Sequence, residues 1–181
     1  MSEAGGILLP TVSEICAKLD EFAPPRLAET WDNTGLLLGR SEAPVRGLLT
    51  CLTLTEEVAW EAAGLPVQLV ITHHPILFRP VKRLTGATAD GRTILLLAER
   101  GIAVYCPHTA FDSAANGINQ QLAESLGLHS IVPLRPLVGE PSIGGGRCGV
   151  FPAAISRGDF LQRVQDVTGA GWLEWCGSGP E

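Results

Sequence analysis

Two short segments hold most of the residues able to do chemistry, Thr72-His73-His74-Pro75 and Pro107-His108-Thr-Ala-Phe-Asp112. Each follows an apolar run, Val67–Ile71 and Ile102–Cys106, whose β-branched content reads as a buried strand. Ligands of open α/β sheets bind beyond the carboxyl ends of strands, so both segments are expected at one edge. Three of the four histidines lie in them. Imidazole nitrogens with a carboxylate form a ligand set suited to zinc, iron, manganese or nickel. Neighbouring side chains of an extended chain point to opposite sides, so His73 and His74 are expected to serve two ions rather than chelate one. A structural reading competes: His-His-Pro as a turn, with His108 and Asp112 capping the next helix.

Other polar residues carry weaker signals. Asp32, in Trp31-Asp-Asn-Thr-Gly35, is accounted for by turn chemistry alone. Arg79, Lys82 and Arg83 would suit a substrate phosphate, but a solvated surface explains them better. No G-x-S-x-G elbow, P-loop or G-x-G-x-x-G is present. The five cysteines are widely spaced without a C-x-x-C, which disfavours a disulfide framework and points to a reducing cytosol. Cys16, Cys51 and Cys106 sit in apolar stretches and read as small core residues.

Alternating helices and strands must position these segments. Thr11-Val-Ser-Glu14 has capping-box spacing and opens a helix to about Phe22, stopped by Pro24-Pro25. Strands are expected at Gly35–Gly39 and Gly47–Thr53. A second capping box, Thr53–Glu56, opens a helix closed by Gly64 as its C′ residue. Further helices are expected over Asp90–Gly101, Asn116–Leu126 and Arg157–Val167, with a last strand around Trp172–Cys176. The fold class is therefore α/β, a mostly parallel sheet with helices on both faces. Residues 11–138 form the α/β domain carrying the metal-binding loops. Residues 139–181 begin with a glycine-rich flexible loop or hinge and start a second unit.

Composition excludes several classes. The 181 residues carry 13 Lys+Arg against 19 Asp+Glu, a formal charge of −6, unfavourable for nucleic-acid binding. Only Lys18 and Lys82 are lysines, so no polybasic tail exists for a membrane surface. The first ten residues lack the positive region of a signal peptide, and the apolar runs are too short to span a bilayer.

Trp31-Asp-Asn-Thr-Gly-Leu-Leu-Leu-Gly39, Ile71-Thr-His-His-Pro-Ile-Leu-Phe78 and His108-Thr-Ala-Phe-Asp112 closely resemble three signature segments of one family. It is the Ngg-interacting-factor-three-like family, often described as GTP cyclohydrolase I type 2 homologues, and the resemblance covers about residues 11 to 150. It implies a cytoplasmic protein of two interlinked α/β domains, a dinuclear site of divalent transition metals, and a ring-like hexamer. His73, His74 and Asp112 match family metal ligands; His108 is implied as a neighbour of the metals or of substrate. The resemblance also implies a metal-dependent hydrolase of a nucleotide-like ring; alternatives are a non-catalytic metal-dependent regulator or an inactive partial homologue. The family's remaining ligands, a later His and Glu, have no counterpart here. After Asp112 the only histidine is His129, and Glu174 and Glu181 sit in no matching motif. The chain is accordingly expected to be a C-terminally truncated form, or one whose site a partner chain completes.

Overall fold

The computed structural model describes residues 8–177, so Glu181 and the last residues of the expected second segment lie outside it. The described residues divide into two compact units, with the boundary between Phe111 and Asp112.

The first unit opens with α1 (Val12–Phe22), whose capping box is formed as expected: Thr11 Oγ1 accepts from Glu14 N while Glu14 returns to Thr11 N. Next come β1 (Gly35–Leu38), β2 (Leu48–Thr53), α2 (Glu56–Gly64), β3 (Leu69–His74), α3 (Ala89–Glu99) and β4 (Ala103–Cys106). The short helix α4 (His108–Ser113) carries the chain out of this unit. The sheet order is β1-β4-β3-β2, with β2, β3 and β4 parallel and β1 antiparallel to β4.

Alternation along β3 and β4 builds one core on each face. Val70 and Val104 pack with Leu97 of α3 and Ala59 and Ala62 of α2. Leu69, Ala103 and Tyr105 pack with Val12 and Cys16 of α1. Helices therefore cover both faces, the arrangement parallel strands require because their connections must cross over the sheet. The Tyr105 hydroxyl donates to Asp20 at 2.5 Å, tying the central strand to α1. Gly39, with φ +112°, leaves β1 where an added Cβ would lie 2.5 Å from that of Ala103, so both conformation and space demand glycine.

Several sequence expectations shift. Helix α2 is capped by Thr55, which accepts from Val58 N, rather than by a Thr53 box. Gly64 belongs to the helix, whose cap is Leu65, because no left-handed residue is used there. The histidine pair belongs to β3 itself, since pairing with β2 extends as far as Thr53↔His74. His108–Asp112 is helical rather than a loop.

The second unit contains α5 (Ile118–Ser125), β5 (His129–Val132), β6 (Arg135–Leu137), β7 (Glu140–Gly145), β8 (Cys148–Val150) and α6 (Arg157–Thr168). Its glycine-rich stretch, expected to be a flexible loop, is recruited into strands: β6 pairs with β7 and β5 with β8. Gly144 permits this, because an added Cβ would meet Arg135 O at 2.1 Å. Arg147 braces the unit by donating to Ala114 O, Gly144 O and Gln120 Oε1. Residues 172–177 form no strand, and His129 opens β5.

Leu97, completely buried between α2 and the sheet, tests this core. Leu97→Ala is expected to destabilise the chain by about 2–5 kcal/mol in chemical denaturation, the cost of a large core truncation. Leu52→Ala, at a site 61% exposed, is expected to stay within about 0.5 kcal/mol.

Candidate functional site

Parallel strands β3 and β4 end at the same edge, so His73 and His74 leave the sheet beside Pro107 and His108. Antiparallel β1 has its amino end at that edge, Gly35 pairing with Cys106, and this delivers Trp31, Asp32 and Asn33 there too. Four segments distant in sequence thus meet at one place.

Three imidazoles cluster there. Ring centroids lie 5.1 Å apart for His73 and His74, 5.5 Å for His73 and His108, and 6.1 Å for His74 and His108. The two adjacent rings thus lie close together at the end of β3, although both residues belong to the strand. His73 is half-buried, with its Nδ1 wholly out of solvent, and its ring meets Phe111 at 6.4 Å. His74 is exposed, and its Nδ1 lies 2.7 Å from Thr53 Oγ1, the residue opposite it in register. That contact leaves Nε2 as the nitrogen His74 offers to a ligand.

His108 is held most firmly. Its Nδ1 lies 2.8 Å from Asp32 Oδ1, and the Asp32 side chain is fully buried. A carboxylate only accepts, so Nδ1 carries the proton and Nε2 keeps its lone pair in the neutral ring. Asp32 also accepts from the Thr109 hydroxyl and, at 3.2 Å, from Thr109 N, while Asn33 N donates to Oδ1 at 2.8 Å. Thr109 Oγ1 in turn accepts from Glu29 N. Burial pushes the Asp32 carboxyl up, but bonds from Thr109, His108 and Asn33 outweigh it and hold the group below the usual carboxylate range. His108 itself has φ +31°, a conformation that non-glycine residues seldom adopt and that clusters at functional sites.

Aromatic side chains wall the cluster. Trp31 and Phe78 meet edge-to-face at 5.9 Å, and each lies 6.4 Å from the His108 ring. Asn33 Nδ2 donates to Leu77 O at 2.7 Å, fastening the loop that carries Phe78. Cys106 takes no part as a nucleophile: burial pushes its thiol up to about 12, and it donates to His73 O.

Asp112 lies one helical turn beyond His108 on α4, where Asn119 Nδ2 donates to its carbonyl oxygen. The chemistry of the donor set, imidazoles and a carboxylate, fits a borderline transition metal. Among the described residues, no group of three His, Cys, Asp or Glu side chains is gathered closely enough to hold an ion. The residue that sequence reasoning undervalued is Asp32. Its signal would have been the antiparallel direction of β1, which pattern alone does not carry.

Residues 10–181 match the family Duf34/NIF3 (NGG1p interacting factor 3). A protein NIF3 homolog of Schizosaccharomyces pombe is 37% identical over 91% of this chain and 62% of its own. A GTP cyclohydrolase 1 type 2 homolog of Clostridium perfringens is 37% identical over 74% of this chain and 52% of its own. The chain thus spans about half to three-fifths of these two relatives. A Bacillus cereus protein related to NIF3, known from its crystal structure, superposes with a TM-score of 0.68 at 38% identity, covering 72% of this chain and 36% of that one.

Asp32 binds its proton less readily folded than unfolded, so its stabilisation is complete above about pH 4 and is lost as pH falls from there. Asp32→Asn is expected to cost about 1–3 kcal/mol near neutrality, since buried donors lose their ionised acceptor. The variant's stability is expected to change less than the parent's between about pH 4 and the lower pH at which the folded carboxyl protonates, measured by denaturation at several pH values.

Proposed function

The chain belongs to the Duf34/NIF3 (NGG1p interacting factor 3) family, and from that premise we propose a metal-dependent hydrolase acting on a nucleotide-like ring. The observation that carries this reading is the cluster of three imidazoles at the carboxyl edge of the sheet, with two ring nitrogens already engaged and their opposite nitrogens left for other work. The name of the Clostridium perfringens relative supplies the reaction class.

In this reading His73 and His74 supply nitrogen ligands and Asp112 a carboxylate, for two divalent ions drawn from zinc, iron, manganese or nickel. When bound, such ions supply Lewis acidity and lower the pKa of water toward neutrality. Thr53 fixes which nitrogen His74 presents. His108 acts on protons: its Nε2 accepts one from water or substrate, and the Asp32 carboxylate stabilises the imidazolium that results. Trp31 and Phe78 offer exposed ring surface on which a planar heterocycle stacks. The family reading also carries a cytoplasmic protein that assembles with itself, a hexamer in the family, with light scattering as the check.

His73→Ala and His74→Ala are each expected to lower bound transition metal at least twofold by elemental analysis, with folding retained. His108→Ala is expected to keep its metal while losing turnover of GTP by about a hundredfold, the usual size of a general acid–base contribution. Unchanged metal content in both β3 variants would overturn the ligand assignment. Absence of GTP ring opening by metal-loaded protein would overturn the reaction class.

A further inference from the structure

A cavity of about 530 Å³ opens beside the histidine cluster, within the size range of small-molecule sites. His74 and Thr53 line it together with Phe78, the segment after it and the start of α3. Two guanidinium groups, Arg79 and Arg83, line it, against one carboxylate, Asp90. No ion pair of either arginine is found among the described residues. The nearby acid Glu56 is held by Arg92, with oxygen to nitrogen distances of 2.7 and 2.8 Å, so it does not neutralise them. Lys82 lies between the two arginines in sequence yet is not among the lining residues. The basic group that reads as a solvated surface in the sequence is thus sorted by the fold into two cavity residues and one outside.

Cationic forks in a cavity of this size suit an oxyanion with several acceptor oxygens, because guanidinium donates in the paired geometry that phosphate accepts. The cavity is larger than one phosphate needs, leaving room for the rest of a small molecule reaching toward His74. We propose that this cavity binds a phosphorylated small molecule, with Arg79 and Arg83 anchoring its phosphate and the rest of the molecule reaching His74. The inference rests on the proposed hydrolase reading for what happens at the histidine end; the anchor itself requires no metal.

Binding of inorganic pyrophosphate to the full chain, stripped of metal by a chelator, tests the anchor by calorimetry. Arg79→Gln and Arg83→Gln are each expected to weaken binding about tenfold, the size of a lost charge-assisted hydrogen bond. Lys82→Gln is expected to stay within twofold. All three side chains are exposed, and circular dichroism checks that each variant folds. No binding by the parent chain, or an equal loss in all three variants, would overturn the proposal. Pyrophosphate binding that persists when His73→Ala and His74→Ala leave metal content unchanged would sink the ligand assignment and leave the anchor standing. No pyrophosphate binding by the parent chain, with metal content lowered in both histidine variants, would sink the anchor alone.

Discussion

Pairing of β1 with β4 in the antiparallel sense is the constraint on which the rest of the site depends. Three parallel strands already send their carboxyl ends to one edge, where His74 and His108 emerge. A fourth parallel strand would have sent Trp31 and Asp32 to the far edge of the sheet. Because β1 runs the other way, its entry loop arrives beneath His108, and a buried carboxylate meets the imidazole.

A buried carboxylate is costly unless every lone pair finds a donor. Asp32 meets that condition with two backbone amides, a hydroxyl and a ring N–H. The arrangement also dictates the His108 tautomer and holds its backbone at an unfavourable positive φ. Site and fold share these bonds: the groups that orient a reactive ring also close the edge of the sheet. Thr53 does the same for His74 on a smaller scale, through strand register rather than burial.

The segment from Pro75 to Thr88 serves both groups of residues. Phe78 packs with Trp31 near His108 and also lines the cavity with Arg79 and Arg83. Aromatic and cationic side chains thus share the lining of one cavity that includes His74. Such a lining suits a ligand that is planar at one end and anionic at the other.

Much of this was legible in the residues themselves. Periodicity and capping located α1, α3, α6 and the apolar strands, because each of these elements is specified by local spacing. His73, His74 and His108 were recognisable as a group because strand ends in an α/β sheet share an edge. The glycine-rich stretch misled, since flexibility and tight strand pairing use the same residue. Strand direction, the burial of Asp32 and the separation of Lys82 from its arginine neighbours belonged to the tertiary structure alone. The physical reason is that local spacing encodes which face of an element is apolar, whereas direction and neighbour choice depend on hydrogen bonds between residues about 75 positions apart.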